Sequence, residues 1–119
     1  MQAFSIPGRL PDLNTEIRAA KAHWSNYART KKAWTLKCAS AARGLKPCSE
    51  AINLYCLWKA ANKRIDPDNL AFATKYILDG LVVAKVLPDD NWKYVKSIHH
   101  SFTVDKRPGV EVTLSTGDI

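Results

Sequence analysis

The sequence predicts an α+β fold: one domain, with a small mixed sheet and helices packed against it in the chain order β-α-β-α-β-β. Three observations carry this. Residues 51–60 alternate Ile52, Leu54, Cys56 and Trp58 with Asn53, Tyr55 and Lys59, the period of a strand with one buried face. Residues 69–84 place Leu70, Ala73, Ile77, Leu81 and Ala84 at helical spacing, which predicts an amphipathic helix lying on the sheet. Residues 94–104 and 110–114 alternate on either side of Lys106-Arg107-Pro108-Gly109, the pattern of a terminal antiparallel hairpin.

The remaining elements follow in order. Gln2 to Ile6 forms a short first strand, stopped by the turn signal Pro7-Gly8. From Leu13 to Ala42 the chain is helical in composition, with room for a break in the middle, Asn14 or Thr15 as cap and Gly44 as stop. Ile17, Ala20, Trp24, Tyr27, Trp34 and Cys38 or Ala41 define a packing face, while Arg18, Lys21, Arg29 and Lys32 define a basic stripe. No repeat, low-complexity tract or linker interrupts the 119 residues, which leave room for one core.

Composition narrows the function. A chain that is 46% hydrophobic and 24% charged is neither disordered nor fibrous, and its longest apolar stretches are too short for a bilayer. The first residues lack the basic start and apolar block of a secretory signal, so a cytoplasmic protein is expected. Cys38, Cys48 and Cys56 are odd in number and not closely paired, the pattern of reduced structural thiols. The net charge of +7 is concentrated early: residues 1–50 hold nine Lys or Arg against three acids, and residues 51–119 hold nine against eight. Such a surface suits a polyanion, of which nucleic acid is the commonest; it also serves solubility alone.

Chemistry is most readable in Lys63-Arg64-Ile65-Asp66-Pro67-Asp68-Asn69-Leu70, between a strand and a helix. Pro67 drives Asp66 towards extended backbone, where side chains two residues apart point to one side, so Asp66 and Asp68 are expected to converge. Two carboxylates suit Mg²⁺, which keeps several waters and takes substrate phosphate as well. Asp89 or Asp90 after Pro88 supplies a third. The same residues also begin a helix in the ordinary way, Asp66 as N-cap and Pro67 as first residue, and Asp89-Asp90 also reads as a solvated turn. Adjacent His99 and His100 on a strand face opposite ways and cannot share an ion. Trp24, Trp34, Trp58 and Trp92 can stack on bases, though periodic aromatics more often fill cores. No Gly-rich phosphate loop and no nucleophile set beside a base is present.

Taken together, Gly8-Arg9-Leu10-Pro11-Asp12-Leu13-Asn14, Asp66-Pro67-Asp68-Asn69-Leu70, Lys75-Tyr76-Ile77-Leu78-Asp79-Gly80-Leu81 and Val86-Leu87-Pro88-Asp89-Asp90 resemble, in order and spacing, the RusA family of Holliday-junction resolvases, especially its phage and prophage members. The resemblance spans nearly the whole chain. It implies a Mg²⁺ site at Asp66, Asp68 and Asp90, with Mn²⁺ as a substitute, Lys75 as a catalytic lysine, and a homodimer that cuts four-way DNA junctions. One departure stands out: shorter family members place the lysine four residues after the second aspartate, whereas Lys75 is seven after Asp68. Those three extra residues add most of one helical turn, so Lys75 is expected near the same face but about 4.5 Å further along the axis. There it either reaches a phosphate or pairs with Asp79 at i, i+4.

The expected activity is hydrolysis of a DNA phosphodiester, with Arg18, Lys21, Arg29, Lys32, Lys63, Arg64 and Lys93 gripping backbones and junction shape giving selectivity. The alternatives are a non-catalytic DNA-binding recombination accessory, and a nuclease for other branched DNA.

Overall fold

The computed structural model describes residues 1–22 and 24–117, with the side chains at positions 13, 16, 19, 22 and 24–26 outside the description. The elements are β1 (Gln2–Pro7), α1 (Leu13–Ala22), α2 (Trp24–Ala41), β2 (Ile52–Ala60), α3 (Pro67–Ala71), α4 (Thr74–Val83), β3 (Val95–Val104) and β4 (Gly109–Ser115). The fold is α+β, and the four strands form a mixed sheet in the order β1-β4-β2-β3. β2 and β3 run parallel, while β4 is antiparallel to both β1 and β2.

The terminal hairpin is therefore not formed: β2 lies between the two strands expected to pair. Burial decides the arrangement. Val110, Val112 and Leu114 of β4 are each at most 2% exposed and need neighbours on both sides, whereas β3 has no fully buried residue. The 105–108 connection crosses the end of β2, where the Asp105 N–H donates to the Ala60 carbonyl at 2.9 Å. Four residues can span about 13 Å, enough for the roughly 10 Å between strands once removed.

One face of the sheet is the core. In register, Leu54, Cys56 and Trp58 of β2 stand beside Leu114, Val112 and Val110 of β4, with Phe4 and Ile6 of β1 beyond them. Tyr76, Ile77 and Leu81 of α4 and Cys38 and Ala42 of α2 close over this surface. The thiols of Cys38 and Cys56 are pushed up to about 12 by burial, so they behave as small apolar groups. Among the described residues, no helix is long and apolar enough to cross a membrane.

The helices depart from the sequence reading in three places. Asp12, rather than Asn14 or Thr15, caps α1: its carboxylate accepts the Thr15 N–H at 2.8 Å and an Arg9 N–H at 3.2 Å. Ile17, assigned to the packing face, is 43% exposed; among the described side chains of the long helical region the buried ones are Cys38, Ala39 and Ala42, and the Trp24 side chain lies outside the described residues. The expected helix over 69–84 is two helices. The Thr74 hydroxyl donates to the Ala71 carbonyl at 2.5 Å, taking the acceptor that the Lys75 N–H would use in a continuous helix, and that N–H bonds Phe72 instead.

Gly80 lies at a close crossing of α2 and α4. A Cβ built there would stand 2.6 Å from Cys38 Cβ and 2.8 Å from the Ala39 nitrogen. In a free helix, Gly→Ala gains up to about 1 kcal/mol. Gly80→Ala should instead lower stability by about 1–3 kcal/mol, the usual cost of overpacking. Urea unfolding checks this, and a stabilised variant would contradict the close crossing.

Candidate metal and nucleic-acid site

Asp66 ends the β2–α3 connection at φ −65° and ψ 146°, extended as Pro67 requires. It sits at the N-cap position, yet its side chain makes no cap hydrogen bond; only its backbone carbonyl is used, by the Asn69 and Leu70 N–H groups. The extended stretch stops there, because Asp68 lies in the first turn of α3. The two carboxylates are thus neighbours across a helix start, not adjacent teeth of a strand. Both are exposed, and Asp68 accepts its neighbour Asn69's N–H at 3.0 Å.

The cations beside them come from several elements. Lys63 and Arg64 are exposed in the same connection, where the Arg64 N–H donates to Asn62 at 2.9 Å and shapes the turn. Lys75, in the first turn of α4, is exposed between the buried Thr74 and Tyr76. No ion pair joins it to Asp79 among the described residues. Since α3 and α4 are separate helices, its distance from Asp68 does not follow from one helical rise. Sequence reasoning passed over three further cations at this end: Arg9, and Lys106 with Arg107 in the β3–β4 connection. That connection is held to Gly8 by a 2.9 Å bond from the Gly8 N–H to the Pro108 carbonyl. The charged pair in the turn was the available signal.

Asp90 stands elsewhere. It lies at the head of β3 with Asn91, Trp92 and the first residues of that strand, and it also borders a groove of about 790 Å³ between α2 and α4. Across the groove from Asp79, Asp89 and Asp90 are Lys31 and Lys32. Partial burial, a hydrogen bond with Asp89 and the charge of Asp79 together push the Asp90 carboxyl above the usual range. Asp66 and Pro67, by contrast, adjoin the tail of β3: Ile65, Pro67 and Leu70 border the same cavity as Phe102, Thr103 and Val104.

Within one chain, then, the two acidic motifs occupy opposite ends of β3. Nine residue steps at about 3.3 Å separate Val95 from Val104, roughly 30 Å. Among the described residues, no three His, Cys, Asp or Glu side chains gather closely enough to hold a metal ion. Magnesium coordination by all three aspartates of a single copy does not fit this geometry.

The remaining candidates fall into place. Arg18 and Lys21 are exposed on α1, Arg29 and Lys32 on α2, and Lys93 just before β3, its amine 5.4 Å from the Tyr94 ring. His99 and His100 do face opposite ways. His99 stacks on Tyr55 on the uncovered face of the sheet, and His100 accepts the Trp58 indole N–H at Nδ1, 2.9 Å away. That bond requires Nδ1 unprotonated, and burial followed by the nearby His99 lowers the His100 pKa. Trp58 is core, Trp34 is partly buried with Lys37 over its ring, and Trp92 is 98% exposed.

No protein-family model matches the chain, and no curated protein matches it.

Asp12, in the segment preceding α1, offers a pH test. Burial raises its pKa, but the Thr15 and Arg9 hydrogen bonds outweigh that and leave it below the ordinary 3.8. The stabilisation from its ionised form is complete above that ordinary value and is lost as pH falls below it. Asp12→Ala should cost about 1 kcal/mol, within the 0.5–2 range for an N-cap, at neutral pH. The difference from wild type should shrink in acid. Equal unfolding curves at pH 7 would contradict the cap.

Proposed function

We propose that the protein is a magnesium-dependent, structure-selective DNA endonuclease that resolves four-way junctions as a two-fold dimer, with each metal site shared between two copies. The observation that carries this reading is the placement of the acidic motifs at the two ends of one edge strand. β3 is an edge strand with its outer backbone groups open. Antiparallel pairing of two β3 edges sets the head of one strand against the tail of the other. Asp90 of the second copy then approaches Asp66 and Asp68 of the first, and the reverse holds at the other end.

The residues suit the chemistry. Asp66 and Asp68 are exposed, and the Asp66 side chain is not spent on a helix cap. Asp90 is held near other carboxylates that a cation would relieve. A divalent ion bound there supplies positive charge to phosphate oxygens and acidity to a coordinated water. Lys63, Arg64, Lys75, Arg9, Lys106 and Arg107 surround the end that carries Asp66 and Asp68, where they would hold a backbone without reading sequence. The likeness of the acidic motifs to the RusA resolvases supports the same reading and adds the four-way junction as substrate. A two-fold enzyme fits a junction of near two-fold symmetry and allows paired cuts.

Asp68→Asn should abolish cleavage of a synthetic junction in Mg²⁺ or Mn²⁺ while leaving binding intact, since it removes a ligand charge and keeps shape. Wild-type protein that binds the junction and leaves it uncut would point to a non-catalytic accessory. Cutting of flaps in preference to junctions would move the reading to other branched DNA. A mixing experiment tests the shared site. Asp68→Asn and Asp90→Asn, each inactive alone, should recover about a quarter of wild-type nicking when unfolded together and refolded as an equal mixture, because half the dimers then hold one intact site of two. A mixture as inactive as its components would place all three aspartates in one copy.

A further inference from the structure

Among the described residues, Trp92 is the largest apolar side chain left in solvent, 98% exposed just before β3. It makes no contribution to the core cluster of the chain that carries it. At the opposite end of β3 is a cavity of about 290 Å³ between the start of α3 and the tail of the strand, walled by Ile65, Pro67, Leu70, Phe102 and Val104. Phe102 and Val104 are themselves 40% and 50% exposed, so the cavity is open along the strand's free edge. An exposed aromatic and an apolar cavity at opposite ends of one edge strand form a self-complementary pair.

We propose that Trp92 is the anchor of a symmetric interface with a second copy of this chain, its indole seated in the second copy's cavity between α3 and the tail of β3. The inference rests on the two-copy reading given above and specifies what holds the copies together. Alternation fixes which pairings are allowed: residues facing each other across antiparallel strands share a face, so the two-fold axis passes through a residue, not between two. An axis at His100 sets Ile98 against the second copy's Phe102, twice. The segment holding Trp92 then lies beyond Val95, over the second copy's residues that follow Val104.

Charge agrees with this seating. The segment that would enter carries Asp89, Asp90 and Lys93, and the end that receives it carries Lys63 and Arg64 beside Asp66 and Asp68. Asp89 and Asp90 thus meet Lys63 and Arg64, while Asp66 and Asp68 share Lys93, which favours the antiparallel orientation. Area agrees as well. Two buried indoles contribute about 300–500 Å², a substantial share of the 1,200 Å² or more that a stable interface buries. The other sheet edge is less available. β1 is only six residues long, ends at Pro7, and has Gln2 tied to the backbone of Lys46 through bonds of 2.7 and 2.9 Å.

Sedimentation equilibrium of the full chain, with and without Trp92→Ala, tests the anchor. Because Trp92 is outside the core, the variant should unfold like wild type. Its dimer dissociation constant should rise about thirtyfold or more, the effect of truncating a buried tryptophan at an interface. Trp92→Phe should recover part of the loss. Orientation is tested in a Cys48→Ser background with a short bis-maleimide. Lys93→Cys combined with Val104→Cys should cross-link two copies, and neither single variant should, since like positions lie at opposite ends of the interface. A dimer indifferent to Trp92→Ala, or one that the double variant does not cross-link, overturns the anchor while leaving a dimer. A wild-type chain that stays monomeric at high concentration overturns both the anchor and the shared site. A Trp92-dependent dimer that cuts no DNA supports the anchor and counts against the nuclease alone.

Discussion

Adjacent parallel strands cannot be joined by a turn, because the chain must return the length of the sheet before the second strand begins. Here α3 and α4 make that return between β2 and β3. Whatever follows β2 is therefore left at one end of the pair, and whatever precedes β3 is left at the other. Asp66 and Asp68 belong to the first group and Asp90 to the second. The separation of the acidic motifs is a direct consequence of strand direction. It also confines the ways in which three such carboxylates can meet: the strand ends have to be brought together from two chains.

The same pairing leaves β3 with one neighbour. β2 is covered on both sides, so its Ile52, Leu54 and Cys56 are at most 1% exposed, and β4 is protected in the same way. β3 keeps Ile98, Phe102 and Val104 each at least 40% exposed, in register with the core residues Leu54 and Trp58 and with Ala60. Edge strands of this length and apolarity are ordinarily blunted by a proline, a bulge or a covering loop. Here β3 carries no proline; its one irregularity is a register shift near its head, between Val95 and Ser97, and from Ser97 to Val104 its pairing is regular. The buried Trp58 indole donates to His100 Nδ1 at the middle of this edge, which requires that nitrogen to be unprotonated.

Much of the fold is legible from local patterns, since alternation and helical spacing are properties of single segments. β2 shows this, with Ile52, Leu54, Cys56 and Trp58 all buried as their spacing requires. Pairing is different, because it depends on which strand most needs two neighbours. The alternation of β3 and β4 looked alike in sequence, yet only β4 carries residues that are fully buried. The break before α4 was hidden because a threonine hydroxyl replaces one backbone bond without disturbing the apolar period. Asp12 was overlooked as a cap because two later residues, Asn14 and Thr15, are also good caps. At the site, Pro67 correctly signalled extended backbone at Asp66, but nothing local could show that Asp90 would lie at the far end of a parallel strand.

The proposed divalent metal site is assembled from two chains. A crystal structure grown with Mn²⁺ tests it most directly. An anomalous peak bounded by Asp66 and Asp68 of one copy and Asp90 of the next, repeated at the two-fold related position, is the predicted result. A peak coordinated by a single copy, or copies packed with the two acidic motifs still a strand length apart, would contradict it.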